Sequence, residues 1–475
     1  MKTYGLHIGG KVQRTRDAAA VENPYTGKPI ARVCRAGPRE LDAAIAAAEK
    51  AFQETRRLSA DQRAGILSSI ALGIRKRAKE ITRTIAQEAG KPWSAAALEV
   101  DRAVLTFTLA AEEAKRLGGE YLPLDIVPAT RGYAGIVRRF PIGVIGAISP
   151  FNFPLNLVAH KVAPAIATGN TVVLKPPSQT PITPLILGEI VARSGAPAGT
   201  LNVVPCPVSV AEGLVTDERV KMLTFTGSPA VGWDLKAKAG KKKVTLELGG
   251  NAGAIVHEDA DLEWAIPRLA LGAYANAGQV CISVQRIYVH EPVYKTFLNR
   301  FVKHTRSLKV GDPLDPETVV GPLIDKNAAD RVEAWIQEAR SAGARVLCGG
   351  RRRGNVIEPT VLTDVKPDMK VCCLEVFGPV VTVTPYRRFE EAVAAVDASI
   401  YGLQAGVFTR DLGRIRYAYE HLEVGGVIIN DYPMFRVDSM PYGGVKDSGF
   451  GREGVRYAME EMTEPRLLVL NFNPL

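Results

Sequence analysis

From about residue 142 onward, short apolar runs alternate with longer amphipathic segments. Residues 143–149 (GVIGAIS) and 171–175 (TVVLK) lack the in-out alternation of a half-exposed strand and read as strands buried on both faces, with a helical stretch at 155–167 between them. A helix over about 184–193 leads to a strand at 201–204. Strands at 222–226 (MLTFT) and 244–248 (VTLEL) follow, separated by a helix opening at Ser228. Strands alternating with helices predict a parallel sheet with crossover helices, whose ligands gather beyond the strands' carboxyl ends. Upstream, the Ala-, Glu- and Arg-rich residues 40–118 predict two or three amphipathic helices. After Gly249-Gly250 a second alternation begins, with strands near 254–256, 286–289, 380–384 and 427–430. The expected fold class is α/β, with two parallel-sheet lobes and a seam near Gly250. Gly449-Phe450-Gly451-Arg452-Glu453-Gly454 spells a dinucleotide fingerprint, but it follows a turn-like stretch and opens no βαβ unit, so it is set aside.

Composition narrows the class. A chain of 475 residues, 46% hydrophobic and 23% charged, is expected to form two or three soluble domains. The opening Met1-Lys2-Thr3-Tyr4-Gly5 has no apolar signal core, and charges interrupt every apolar stretch before membrane-spanning length, so a cytoplasmic location without membrane contact is expected. The six cysteines form no CxxC, and no histidine stands at zinc-ligand spacing from them. Reduced thiols and no metal site are therefore expected. The net charge of +10 favours anionic ligands. The basic runs 241–243 and 351–353 contain no interleaved aromatics, so they predict solvated loop ends rather than a nucleic-acid surface.

Cys281, in Gly278-Gln-Val-Cys281, reads by itself as a packing thiol. Its company changes that. Ser149-Pro-Phe-Asn152-Phe-Pro154, Leu174-Lys175-Pro-Pro-Ser-Gln179, Phe225-Thr-Gly-Ser228, Leu246-Glu247-Leu-Gly-Gly250, Glu375-Val-Phe377-Gly-Pro379 and Pro441-Tyr-Gly-Gly-Val-Lys-Asp-Ser-Gly occur in order along nearly the whole chain. Together they resemble the signature segments of the aldehyde dehydrogenase superfamily. The resemblance implies that Cys281 is the nucleophile, that Asn152 and the Cys281 backbone N–H hold the oxyanion, and that Glu247 activates the water that releases the acid. Read alone, Asn152 also fits a turn cap and Glu247 a strand-end surface carboxylate. For NAD or NADP, the resemblance implies Lys175 at the adenosine ribose, Gly227 and Ser228 at the pyrophosphate, and Val231 at the adenine. It places Glu375 at the nicotinamide ribose with Phe377 beside it, and Ile148, Ser149, Pro150, Phe151 and Leu248 along the same cofactor.

Two departures stand out. Ser178 replaces a Glu common in NAD-preferring relatives; a carboxylate there repels a 2′-phosphate, so Ser178 implies that NADP is tolerated or preferred. Cys206-Pro207-Val208 replaces a Gly-containing turn on the adenine side. The stretch around Arg436 resembles the lactaldehyde, phosphonoacetaldehyde and non-phosphorylating glyceraldehyde-3-phosphate dehydrogenase branch. Arg436 and Arg102 are candidates to meet an anionic or hydroxylated tail, with a structural ion pair as the alternative for each. Phe153 and Val280 stand where the phosphate-specific type carries Tyr and Arg. The expectation is therefore a small aldehyde of lactaldehyde, sulfo- or phosphono-aldehyde, or semialdehyde type. A CoA-acylating enzyme, a non-phosphorylating glyceraldehyde-3-phosphate dehydrogenase and a catalytically silent protein on the same scaffold are the rival readings; Glu247 argues against the first, Phe153 and Val280 against the second, and the retained Cys281, Asn152 and Glu247 against the third. By resemblance, residues 1–118 and 142–249 form the NAD(P)-binding domain and 250–451 the catalytic domain. Residues 119–141 and 452–475 form an arm that makes a dimer or tetramer.

Overall fold

The computed structural model describes residues 1–473. The runs read as doubly buried strands lie side by side in an eight-stranded sheet, where Val144–Ile148, Thr171–Lys175, Leu201–Val203, Val220–Thr226 and Lys243–Glu247 pair in parallel. Every residue of Val144–Ile148 and Thr171–Lys175 is buried, as covering helices on both faces require. The sheet also recruits strands from outside this stretch: Leu6–Ile8 and Lys11–Gln13 close one edge and Gly449–Phe450 the other.

Residues 40–118 hold four helices where two or three were expected: Pro38–Thr55, Ala60–Lys76, Ala78–Ala89 and Trp93–Arg116. The breaks are local. Ser59 caps Ala60–Lys76 in a reciprocal box with Gln62, and Gly90, at φ 67°, ends Ala78–Ala89 in the left-handed conformation. In Pro38–Thr55, Leu41, Ala44, Ile45, Ala48 and Ala51 are buried at helical spacing. Each fully buried Leu or Ile contributes about 2 kcal/mol, and the many alanines let helices approach the sheet closely.

The second sheet has seven strands, ordered Arg345–Cys348, Thr360–Thr363, Val380–Tyr386, Val284–His290, Ala252–Val256, Gln404–Phe408 and Gly426–Ile429. All its pairs are parallel except the edge strand Arg345–Cys348. A separate antiparallel sheet joins Glu120–Pro123, Tyr133–Pro141 and Thr463–Asn471, the last two in register from Thr463 opposite Pro141 to Asn471 opposite Tyr133. The stretch beyond residue 452 is not all strand, because Val455–Glu461 is a helix packed on Asn156–Ala167. Among the described residues, no helix is long and apolar enough to cross a membrane.

Register sets the position of the site. Ile148 pairs with both Lys175 and Phe225, and Thr226 pairs with Glu247, so Ser149, Lys175, Gly227 and Glu247 emerge along one carboxyl edge. The segment carrying Cys281 instead enters the second sheet at the amino end of Val284–His290.

Candidate active site

Cys281 lies in the turn between the short 3-10 helix Ala275–Gly278 and the strand Val284–His290. Asn276 and Ala277 hold φ of 51° and 55°, a left-handed conformation costing non-glycine residues about 1–3 kcal/mol each. Buried hydrogen bonds maintain it. Gln279 Nε2 donates to the Asn276 carbonyl at 3.1 Å, and Gln279 Oε1 accepts the Ile324 N–H at 2.9 Å. Glycine is required at 250, where a Cβ would overlap the carbonyl oxygen of Cys281.

A cavity of about 440 Å³ opens onto Cys281, Asn152, Phe153, Val280, Tyr442 and Arg436. Asn152 Nδ2 donates to the Gln279 carbonyl at 2.9 Å, and its Oδ1 is buried without a partner. The carbonyl fixes the amide's orientation, because a flipped Oδ1 would face another acceptor. Glu247 ends its strand buried, with neither carboxyl oxygen bonded, and Oε1 lies against Gly443 beside Tyr442. Burial, with Glu453 adding, pushes Glu247 well above the usual carboxylate range, against Arg436, Lys161 and Arg452. Burial likewise pushes the Cys281 thiol up to about 12. The Tyr442 hydroxyl, 3.1 Å from Sγ, pulls it the other way.

The residues assigned to a nicotinamide cofactor line the facing edge. The Ser149 hydroxyl is buried and unpartnered. Pro150 follows it, and Phe151 meets Phe377 edge-on at 5.8 Å. Burial lowers the Lys175 ammonium. Ser178 is exposed and borders a small cleft shared with Arg35, Cys206 and Pro207. Gly227 donates its N–H to the Glu247 carbonyl at 3.0 Å, while Ser228 opens the helix Pro229–Lys238 without a side-chain cap, leaving first-turn N–H groups open to an anion. Val231 is exposed on that turn, and Leu248 packs over Gly232. Glu375 Oε1 accepts the Gly250 N–H at 2.9 Å, and burial pushes its carboxyl up to about 7. The other oxygen approaches Gly249, where a Cβ would stand 2.8 Å from it. The uncapped helix start, the unbonded Ser149 hydroxyl and Glu375 beside a side-chain-free Gly249 form a cradle that fits a dinucleotide.

Both substrate-candidate arginines are ion-paired in the cavity wall. Arg102 grips Asp438 with two bonds, of 3.2 and 2.6 Å, and Asp438 also meets Asn156 and His160. Arg436 is 3.3 Å from Glu453 and stacks on the Tyr442 ring at 3.6 Å, with its Nε unpartnered. Beside Phe153, the Lys91 ammonium lies 3.5 Å from the ring centroid and pairs with Glu99. Glu99 also accepts the N–H groups of Leu155 and Asn156 at 2.8 and 3.1 Å, pinning the turn that carries Asn152. Lys91, Glu99, Asp438 and Tyr442 carry no role in the sequence reading. One signal was available: His160-Lys161 sits in a segment otherwise almost wholly apolar, and both are buried, against Asp438 and Glu453.

Comparison with known proteins places this geometry among relatives. The model of the aldehyde dehydrogenase family matches residues 12–468. The chain is 45% identical over 99% of its length to a 3-sulfolactaldehyde dehydrogenase of Priestia megaterium, covering 98% of that protein. Aldehyde dehydrogenase 21 of Physcomitrella patens, solved in complex with the reaction product succinate, is 46% identical, with a TM-score of 0.98 and 99% of each chain covered. The glyceraldehyde-3-phosphate dehydrogenase GapN of Methanocaldococcus jannaschii, solved with NADP, is 40% identical, with a TM-score of 0.92, covering 96% of this chain and 100% of that one.

Proposed function

The chain belongs to the aldehyde dehydrogenase family and is an NAD(P)-dependent aldehyde oxidoreductase, and on that premise we propose that it converts a small aldehyde with a hydroxylated or anionic tail into the carboxylic acid through a covalent Cys281 adduct. The observation that carries this reading is the opening of Cys281 and Asn152 onto one cavity, with the unbonded Glu247 carboxyl behind it.

Cys281 attacks the aldehyde carbon as thiolate, giving a thiohemiacetal whose oxyanion takes the second Asn152 N–H and the Cys281 backbone N–H. The Tyr442 hydroxyl donates to Sγ and steadies the thiolate before attack. Ser149, Lys175, Gly227, Ser228, Val231 and Glu375 hold NAD(P), which when bound supplies the hydride acceptor that turns the thiohemiacetal into a thioester. Glu247 then takes a proton from water, which releases the acid. Its retention favours hydrolysis over transfer to CoA, because a CoA thiol needs no such base. Ser178 offers no charge against a 2′-phosphate, and Arg35, which borders the same cleft, is already paired with Asp17, so the absence of a carboxylate at 178 is what supports acceptance of NADP.

The anionic tail is supported by what the relatives' names describe: a sulfonated aldehyde, a dicarboxylate product and a phosphorylated aldehyde. Lys91, Arg102 and Arg436 line the cavity, each paired with a carboxylate, and the unpartnered Arg436 Nε is the donor left to meet such a tail. Phe153 and Val280 leave no further charge beside the thiol, which favours a compact sulfonate or carboxylate over a phosphate ester. Exposed Leu467, Leu468 and Val469 on the antiparallel arm support pairing with a second copy into a dimer or tetramer, and reduced thiols suit the cytoplasm. The test is a panel of neutral, carboxylated, sulfonated and phosphorylated small aldehydes run with NAD and NADP. Sulfonated or carboxylated members should give the highest kcat/KM; a neutral alkanal preferred by tenfold would refute the anionic assignment, and strict dependence on CoA would refute hydrolysis.

A further inference from the structure

The Tyr442 hydroxyl reaches the nucleophile, and a closed circuit of contacts decides where it points. Tyr442 is 3% exposed and packs among Val280, Ile282 and Leu403. Among the described residues its hydroxyl has one hydrogen-bond partner, Cys281 Sγ at 3.1 Å. The Arg436 guanidinium lies over the ring, 3.6 Å from the centroid. Arg436 is in turn 3.3 Å from Glu453, and its side chain is only 7% exposed. Glu453 and Tyr442 form an antiparallel bridge: the Tyr442 N–H donates to the Glu453 carbonyl at 3.0 Å, and the Glu453 N–H to the Tyr442 carbonyl at 2.6 Å. The Lys161 ammonium holds the other Glu453 oxygen at 3.0 Å. Backbone thus runs from Tyr442 to Glu453, an ion pair from Glu453 to Arg436, and stacking from Arg436 back to Tyr442.

A guanidinium held against an aromatic face in so dry a place has two effects. It fixes the plane of the ring, and it draws the electrons of the ring toward itself, which makes the O–H a stronger donor. A thiolate acceptor gains from both, because a charged acceptor rewards a short and well-aligned donor. The charges around the sulfur make such support necessary. Glu375 and Glu247 both oppose a negative Cys281, whereas Arg436 favours one. Arg436 itself faces Tyr442, Glu453, Asp438 and Glu247, and its charge also reaches His160.

We infer that Arg436 is a positioning residue of the nucleophile: clamped by Glu453, it holds the Tyr442 ring so that the phenol donates to Cys281 Sγ and favours the thiolate. This rests on the reading of Cys281 as the nucleophile, and it gives Arg436 a role that needs no substrate. The unpartnered Nε is still available to a tail. One side chain therefore touches both the incoming anion and the group that readies the sulfur. A phenylalanine at 442 would keep the packing and the stacking but leave Sγ without its donor.

Iodoacetamide alkylation of the full chain without substrate, read by mass at the Cys281 peptide, isolates this role. The reagent has no anionic tail and needs neither Glu247 nor cofactor. Arg436→Met should slow alkylation about fivefold at about pH 8, the scale of one desolvated cation–π contact, and move its pH midpoint upward. In a Tyr442→Phe background the same substitution should change the rate by less than about twofold, since its route to the sulfur is already cut. Arg436→Lys keeps a charge beside the buried Glu453 and so guards against a misfolded Arg436→Met. It should give an intermediate rate that also becomes insensitive in Tyr442→Phe. An arginine that merely fills the wall predicts the opposite, faster alkylation as the reagent gains room. Equal slowing with and without the Tyr442 hydroxyl, or no slowing at all, would overturn the inference. Failure of the underlying reaction would show separately, as a parent enzyme that makes no NAD(P)H from any aldehyde.

Discussion

At the scale of residues, the site contains two groups whose burial opposes their work. Burial pushes the Cys281 thiol up to about 12 and the Glu247 carboxyl well above the usual carboxylate range, whereas attack needs a thiolate and thioester hydrolysis a carboxylate. Because Glu247 is raised, its base form is lost as pH falls through that raised value. Steady-state kcat should therefore drop on the acid side well above the ordinary carboxylate range, and this limb should vanish in Glu247→Gln. A profile flat down to about pH 5 would exclude Glu247 as the base. Tyr442 opposes the burial of Cys281. Tyr442→Phe should slow iodoacetamide alkylation of Cys281 several-fold at fixed pH and move its pH dependence upward, and unchanged alkylation would leave Tyr442 a packing residue. Asn152→Ala should lower kcat/KM by about 10²–10³ while cofactor affinity stays constant, the cost of one lost oxyanion donor.

At the scale of elements, the reacting groups are positioned by contacts well away from them. Glu99, on the helix Trp93–Arg116, holds the turn carrying Asn152 through two backbone N–H groups and neutralises Lys91. Glu99→Ala leaves a buried ammonium unpaired and should cost about 3–5 kcal/mol, read as a lower denaturant midpoint; a change below 1 kcal/mol would show that the pair is not structural. Gly250→Ala should remove activity, because its Cβ meets the Cys281 carbonyl. These contacts also show where sequence reading stopped. Doubly buried strands announce themselves as largely apolar runs, so Val144–Ile148, Thr171–Lys175 and residues 222–226 of Val220–Thr226 were legible, as were the motifs at their ends, while the exposed Lys221 hid the start of the last. Helix breaks depend on single caps such as Ser59 and Gly90, which a broad Ala-rich pattern conceals. Partners such as Asp438 for Arg102, Glu453 for Arg436 and Tyr442 for Cys281 lie far away along the chain, and only the fold sets them at bonding distance.

At the scale of the whole molecule, the carboxyl edge of one sheet faces the amino-end turn of the other, bringing the cofactor-side residues and Cys281 together. The net charge of +10 adds a field that draws in anionic ligands. The kcat/KM for an anionic aldehyde should therefore fall as salt rises, while that for a neutral one should not. The central claim is that oxidation passes through an acyl group on Cys281 that Glu247 clears. The most direct measurement mixes Glu247→Gln enzyme with aldehyde and NAD(P), following NAD(P)H release and intact mass together. The account predicts one equivalent of NAD(P)H in a burst, little turnover afterwards, and an acyl adduct mapped to Cys281. Undiminished steady turnover, or a burst with no adduct at Cys281, would contradict it.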